Sequence, residues 1–129
     1  MYRDSVLPYE RCVTDAVKAL GVPVYTHTCG KIGDRLDLMA ETGTQRIDTL
    51  DPPPLGNVEL TDAKRIIGDR LFIKGNMNSV VLLAYKMKKV IAEATACLRA
   101  GAPDGGTFSL RVEPWKLQWL TTTAESESS

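Results

Sequence analysis

The sequence lacks the features that mark several specialised classes of protein. The 129-residue chain has 16 basic and 16 acidic residues, so its formal net charge is zero, and aromatic residues make up only 6% of it. A chain without excess positive charge lacks the electrostatic footprint of proteins that bind nucleic acids or anionic membranes. No apolar run reaches the roughly 18 residues of a membrane-spanning helix. We therefore expect no nucleic-acid partner and no membrane association.

Cysteine is scarce as well. The three cysteines are an odd number without the regular spacing of a disulfide framework, which indicates free thiols. The N-terminal residues, from Met1 to Asp4, do not follow the pattern of a secretory signal. Free thiols are typical of reducing compartments, so these features predict a cytoplasmic protein. The length suffices for one domain with one core.

Four segments show apolar residues at helical spacing, and each is followed by a glycine. Glycine suits the left-handed position just past the end of a helix. The predicted helices lie at 13–20, 32–40, 60–67 and 80–98, and they end at Gly21, Gly43, Gly68 and Gly101. Ser79 is placed to cap the last helix. Short strand-like runs follow the glycines, at 22–26, 46–50, 71–74 and 107–112.

The alternation of helices and strands predicts an α/β fold with parallel strands and helical crossovers. Four βα units are half of a (β/α)8 barrel, which usually needs about 250 residues. We therefore predict a partial (β/α)8 TIM barrel over residues 1–120, followed by a disordered polar tail at 121–129. The alternatives are a smaller open sheet and a half-barrel that pairs with another chain. That chain would be a second copy in a homo-oligomer or a separate N-terminal half.

The candidate site lies at the carboxyl ends of the predicted strands, where α/β folds bind their ligands. His27 and Cys29 are two residues apart at the end of the first strand, so their side chains project together. Imidazole and thiolate are good Zn²⁺ ligands, and this pair is our predicted metal site. The alternative is a core histidine beside a buried thiol. Cys12 and Cys97 lie in helical segments, where we predict packing roles.

Polar residues at the other strand ends complete the prediction. Asp48 and Asp51 can orient a metal-bound imidazole, although Asp51 before a proline also suits a turn. Their positions differ in strand parity, which predicts that they face different ways. Gly75 allows close approach of a ligand, and with Asn76 it forms either a pocket floor or a tight turn. We predict that Asp48, Gly75 and Asn76 contribute to cofactor binding.

An ordered series of motifs then carries a family resemblance. The motifs stand at 27–30, 41–43, 47–51, 63–70 and 74–76. Over residues 2–106 the sequence resembles the C-terminal half of the uroporphyrinogen decarboxylase superfamily. This group includes decarboxylases of haem biosynthesis and zinc-dependent methyltransferases that act with corrinoid proteins. The resemblance implies a (β/α)8 barrel.

The resemblance also implies a function. A pair such as His27 and Cys29 is typical of the methyltransferase branch, in which zinc holds a small thiol substrate as the thiolate that accepts a methyl group from a corrinoid protein. The second zinc cysteine of that branch has no counterpart after Gly106, and Glu113 is the nearest substitute. We predict a domain closest to these methyltransferases. Uroporphyrinogen decarboxylase activity, which needs no metal, is the alternative, and a non-catalytic half-barrel is a further one.

Overall fold

The computed structural model describes residues 1–78 and 84–102, and the backbone of residues 108–109. Five α-helices, one 3-10 helix and four strands are assigned in these residues. In chain order they are α1 (Tyr2–Ser5), α2 (Leu7–Lys18), β1 (Tyr25–His27), the 3-10 helix (Gly33–Arg35), α3 (Leu36–Glu41), β2 (Arg46–Asp48), α4 (Leu60–Ile67), β3 (Phe72–Lys74), α5 (Met87–Gly101) and β4 (Phe108–Ser109).

The four strands form one parallel sheet in the order β1-β2-β3-β4. Sequential parallel strands need crossover connections, and α3, α4 and α5 lie in the three crossovers. The predicted α/β architecture with parallel strands is thereby confirmed. Closure into a barrel stays a prediction, because the described strands form an open sheet.

The helices pack on one face of this sheet. Ile47 and Ile73, at the centres of β2 and β3, are 0% exposed and belong to a core that includes Leu36 of α3 and Ile67 of α4. Because neighbouring residues of a strand point to opposite faces, the residues on either side of these isoleucines lie on the other face. We call this the open face, and its residues are Tyr25, His27, Arg46, Asp48, Phe72 and Lys74.

Some element boundaries differ from the sequence-based expectations. The strands β1, β2 and β3 are shorter than predicted, and β2 ends at Asp48 because Thr49 has a φ of 62° and leaves the extended conformation. The helix predicted at 13–20 corresponds to α2, which begins earlier, at Leu7, and ends at Lys18. It has a proline in its first turn, where a missing backbone N–H is tolerated. The helix predicted at 60–67 is confirmed as α4.

Two predictions about helix ends were wrong. Gly68 has a φ of −67°, because the helical hydrogen-bond pattern continues through its N–H to the carbonyl of Lys64. The single helix predicted at 80–98 is interrupted at Tyr85 and Lys86, and α5 runs on to include Gly101. Ser79, the predicted cap, and the tail at 121–129 lie outside the described residues.

The cysteines are free thiols, but only one of the two helical cysteines packs as predicted. Cys97 is buried in the core, whereas Cys12 is exposed on α2. The prediction for Cys12 was wrong because α2 turns few side chains to the core, with only Leu7 and Thr14 buried. Among the described residues, no helix combines the length and apolarity needed to cross a membrane.

Candidate functional site

Three polar side chains form a row across the carboxyl ends of the strands on the open face. His27 of β1 is in register with Asp48 of β2, and Asp48 is in register with Lys74 of β3. The Oδ2 atom of Asp48 lies 3.6 Å from Nδ1 of His27 and 3.8 Å from Nζ of Lys74. Asp48 is 1% exposed, so a buried carboxylate stands between an imidazole and an ammonium group. A buried carboxylate needs polar or charged partners, and Asp48 has one on each side.

The imidazole of His27 also contacts a thiol. β1 ends at His27, and the chain returns Cys29 beside it, with Sγ 3.4 Å from Nε2. Both residues are exposed, and the side chain of His27 is 47% accessible. The alternative of a core histidine beside a buried thiol was therefore wrong. The structure brings the two predicted metal ligands together on accessible surface.

The other imidazole nitrogen is held by the end of β2. The Oγ1 atom of Thr49 lies 3.3 Å from Nδ1 of His27, and the backbone N–H of Thr49 donates to the carbonyl of Lys74. A thiol, an imidazole and a carboxylate thus follow one another through Cys29, His27 and Asp48. Such an arrangement can position a proton donor, activate a nucleophile or present ligands to a metal.

The donor pair fits zinc in its spacing. Tetrahedral Zn²⁺ with typical bond lengths to nitrogen and sulfur holds those two atoms about 3.6 Å apart, close to the 3.4 Å between Nε2 of His27 and Sγ of Cys29. Asp48 on the far nitrogen is the kind of partner that orients a zinc-bound imidazole. In the described part of the chain, no three His, Cys, Asp or Glu residues come together as a ligand set. Glu113, the predicted substitute, lies outside the described residues.

Asp51 makes a structural contact between two loops. Its Oδ2 atom accepts a hydrogen bond of 2.8 Å from the backbone N–H of Gly30. The loop after β2 is thereby joined to the loop after β1, and a second bond runs from the N–H of Gly33 to the side chain of Asn57. Strand parity does not extend to Asp51, because β2 ends at Asp48 and Thr49 leaves the extended conformation.

Gly75 and Asn76 do not share one environment. Gly75 has a φ of 123° and lies against the backbone of Thr49, so it is next to the site. Asn76 instead faces the helices, where its amide donates to the carbonyl of Val58 and its oxygen lies 4.0 Å from Sγ of Cys97. Burial raises the pKa of the Cys97 thiol, and the charge of Glu93 raises it further.

A small cleft of about 250 Å³ borders this second environment. Its lining includes Asn76, Glu93 and Cys97, and it lies between the start of α4 and the middle of α5. The contacts of Asn76 therefore belong to the packing of helices behind the sheet. They do not bring Asn76 to His27 and Cys29.

Sequence reasoning missed four residues of the open face. Arg46 and Phe72 lie side by side, with the guanidinium carbon 5.5 Å from the ring centre, and Nζ of Lys74 lies 5.8 Å from the ring centre of Tyr25. A usable signal was present, because strands of a parallel sheet are normally apolar on both faces. Charged residues inside such strands indicate a face that meets something polar.

The family described as Uroporphyrinogen decarboxylase (URO-D) matches residues 1–110. The chain belongs to the uroporphyrinogen decarboxylase family. The predicted resemblance is thus confirmed at the level of the superfamily.

Individual relatives come from both branches of the superfamily. The chain is 32% identical to a uroporphyrinogen decarboxylase of Chlorobium luteolum over 99% of the chain and 38% of that protein. It is 32% identical to a uroporphyrinogen decarboxylase of Carboxydothermus hydrogenoformans over 84% of the chain and 29% of that protein. It is 30% identical to the methylcobamide:CoM methyltransferase MtbA of Methanosarcina acetivorans, over 73% of the chain and 26% of that protein. The chain therefore spans well under half the length of these relatives.

Proposed function

We propose that this chain forms part of the active site of a decarboxylase that acts on a carboxylated tetrapyrrole. The observation that carries the proposal is the character of the open face. Arg46 and Lys74 place positive charge there, Tyr25 and Phe72 add flat aromatic surface, and His27 stands at the strand ends. Cationic and aromatic side chains together suit a substrate that combines carboxylates with pyrrole rings.

Decarboxylation requires a proton donor and groups that stabilise charge. Decarboxylation of a carboxymethyl group releases CO₂, and the carbon that remains takes up one proton to become a methyl group. His27, the only histidine of the sequence, is the residue we assign to proton donation. Asp48 and Thr49 contact its Nδ1 atom, so they fix the ring with Nε2 beside the exposed thiol of Cys29. No metal enters this scheme.

The relatives favour decarboxylation over methyl transfer. The uroporphyrinogen decarboxylase of Chlorobium luteolum aligns with nearly the whole chain, whereas the alignment with the methyltransferase covers less of it. Because the chain spans 38% of the decarboxylase, we expect further substrate-binding residues to come from a second segment or a second chain that faces the open face.

Methyl transfer to a thiol is the second candidate, and one contact favours it. The 3.4 Å separation of His27 Nε2 and Cys29 Sγ suits two ligands of one zinc ion. Bound there, zinc would keep a substrate thiol deprotonated and nucleophilic. A corrinoid protein would then be the partner, as the name of the MtbA relative suggests for that protein.

An exchange of segments tests both candidates. The chain is placed in the Chlorobium decarboxylase and in the Methanosarcina methyltransferase, where it replaces the aligned segment, and each chimera is assayed for the activity of its parent. We expect the first chimera to decarboxylate uroporphyrinogen and the second to be inactive. Methyl transfer by the second chimera alone would overturn the proposal.

Two variants sharpen the comparison. His27→Asn should lower decarboxylation about 100-fold or more, the usual contribution of a positioned proton donor. Cys29→Ser is the matched control, because it changes one atom of the neighbouring thiol. It should leave decarboxylation within about twofold, whereas loss of a zinc ligand would abolish methyl transfer. Equal loss in both variants of the decarboxylase chimera would contradict the assignment of His27.

A further inference from the structure

Exposed apolar side chains concentrate on the two outermost helices of the layer that covers the sheet. α2 contacts α3, α3 contacts α4 and α4 contacts α5, so α2 and α5 stand at opposite ends of this row. All residues of α3 and α4 are described, and neither helix has an exposed large apolar side chain. Such side chains are instead exposed on α2 and α5. The two ends of the row therefore present apolar surface, whereas its middle does not.

One line of exposed apolar residues runs along α2 and just beyond its ends. We call it the α2 stripe, and it consists of Val6, Tyr9, Val13 and Leu20. Their heptad spacing places them on one side of the helix, and Tyr9 and Val13 are 71% and 64% exposed. At about 100° per residue, Lys18 lies on the opposite side, where its Nζ donates to the carbonyl of Gly43 after α3. The α2 stripe thus faces away from α3.

α5 has a matching line of residues on its own outer side. We call it the α5 stripe, and it consists of Met87, Ile91 and Leu98. Met87 is 76% exposed and Ile91 58%. Ala96 and Ala100 lie on the opposite side of α5 at about 100° per residue, where they line the cleft beside the start of α4. The α5 stripe therefore faces away from α4, the neighbour of α5 in the row.

A single kind of step relates each unit of the fold to the next. Every strand is preceded by a helix, and the helices follow one another in the same order as the strands. When β4 of one copy pairs with β1 of a second copy, this step brings α5 of the first copy against α2 of the second. The α5 stripe and the α2 stripe are the surfaces that then meet. Both strands are edges of a parallel sheet, and an unpaired edge readily accepts another strand.

Two copies are the number that closes this arrangement. A two-fold axis repeats the junction at the other pair of edges, and four strands from each copy give the eight of a (β/α)8 barrel. The seven side chains of the two stripes provide a dimer with on the order of 1,500 Å² to bury, within the roughly 1,200–2,000 Å² of stable interfaces. Closure also covers the open face, and parallel sheets are normally covered on both faces.

We propose that two copies of this chain join edge to edge, with the α5 stripe of each copy packed on the α2 stripe of the other. β4 of each copy then lies beside β1 of the other, so His27 at the end of β1 is next to a strand of the second copy. Each site is incomplete until the second copy supplies this wall. The inference does not rest on the proposed function, because neither stripe includes a residue of the open face.

Sedimentation velocity of the full 129-residue chain over a range of concentrations tests the inference. We expect a mass of two chains that does not rise further with concentration, because the two-fold arrangement leaves no free edge. Val13→Glu in the α2 stripe and Ile91→Glu in the α5 stripe should each raise the dissociation constant of the dimer about 100-fold or more, since each buries an unpaired charge. Circular dichroism confirms that the variants keep their fold.

Leu55→Glu is the matched control. Leu55 is 44% exposed in the loop between β2 and α4, so this variant adds the same charge at an exposed apolar position away from both stripes. It should leave the dissociation constant unchanged. A similar loss of the dimer in Leu55→Glu would indicate a general effect of charge and would overturn the inference.

Mixing the two stripe variants tests which surfaces meet. A mixed pair of Val13→Glu and Ile91→Glu keeps one unaltered junction, so it should associate more tightly than either variant does alone. A dimer that Val13→Glu weakens and Ile91→Glu leaves unchanged would mean that two α2 stripes meet, which contradicts the inference. A monomeric wild type, or growth beyond two copies, overturns it too. A monomer is expected if residues 110–120 or another protein cover the stripes, and it leaves the proposed function to be decided by the chimeras.

Discussion

The carboxylate of Asp51 accepts a hydrogen bond of 2.8 Å from the backbone N–H of Gly30. This bond joins two loops that follow neighbouring strands, and Cys29 belongs to the first of them. The position of Cys29 beside His27 is therefore supported by Asp51, which contacts the residue next to Cys29. Support of this kind, from a neighbouring loop, is what keeps a site geometry fixed.

Removal of this carboxylate should destabilise the fold. In Asp51→Ala the N–H of Gly30 loses its acceptor in a partly buried position, and we expect the free energy of unfolding to fall by about 1–3 kcal/mol. Urea unfolding measures the change. Asp51→Asn keeps an acceptor oxygen and should lose less than half as much. Equal stability of wild type and Asp51→Ala would show that the bond contributes nothing.

Gly56 should tolerate no side chain. A Cβ atom at this position would lie 2.1 Å from the carbonyl oxygen of Asp51 and 2.7 Å from that of Gly30, and both contacts are with backbone. We expect Gly56→Ala to lower the free energy of unfolding by about 3 kcal/mol or more, because the joined loops must separate.

Gly21→Ala is the control for this substitution. Gly21 has a φ of 75° but nothing within 4 Å of the added atom, so it isolates the conformational cost of about 1 kcal/mol. Urea unfolding of the two variants should show a clear difference. Equal stability would mean that the loops move apart without resistance.

The order of elements could be predicted from the sequence because each glycine and each apolar period acts locally. The glycines at 21 and 43 do adopt left-handed conformations, and α4 spans the predicted residues. The juxtaposition of His27 and Cys29 also follows from local geometry, since two residues of extended chain return a side chain to the same face.

Other features depend on tertiary contacts that no local pattern reveals. Asn76 follows β3 as a site residue would, yet its amide meets the carbonyl of Val58 from the preceding loop. The contact between His27 and Thr49 requires Thr49 to leave the extended conformation, which is unusual for a β-branched residue. The pairing of Arg46 with Phe72 depends on strand register, which the sequence alone did not supply.

Cys97 should react much more slowly with thiol reagents than Cys12. Cys97 is buried and its pKa is raised, chiefly by burial, whereas Cys12 is exposed. Because the thiolate is the reactive form, alkylation by iodoacetamide at pH 8 should modify Cys12 first, and Cys97 only as the protein unfolds. Mass spectrometry of digests at successive times measures both rates. Similar rates in the native protein would contradict the burial of Cys97.

The same thiol should make stability depend on pH in alkali. A thiol whose pKa is raised by folding keeps its proton to higher pH in the folded chain. The unfolded chain therefore ionises first, and this ionisation stabilises the unfolded state relative to the folded state. The contribution of Cys97 is therefore complete below the ordinary thiol pKa of 9.0 and is lost as the pH rises through the folded value. Urea unfolding of the wild type between pH 8 and 10.5 should show this decline.

Cys97→Ala is the control for the alkaline decline. It removes the thiol and should decline less steeply over the same range, although it starts from a lower stability because a buried sulfur is missing. Tyr2 also has a pKa raised by burial and by its hydrogen bond to Glu10, so some decline should remain above pH 10. Parallel pH profiles for the two proteins would exclude Cys97 as the cause.

Substitutions of Thr49 should affect the stability of the fold and the activity of the site differently. Its φ of 62° is unfavourable for any residue except glycine, and its hydroxyl contacts Nδ1 of His27. Thr49→Gly and Thr49→Ala both remove the hydroxyl, but only glycine adopts this backbone freely. We expect Thr49→Gly to be about 1 kcal/mol more stable than Thr49→Ala in urea unfolding, while both lower decarboxylation in the chimera. Equal stability would contradict the strained backbone, and full activity in either variant would show that the hydroxyl does not orient His27.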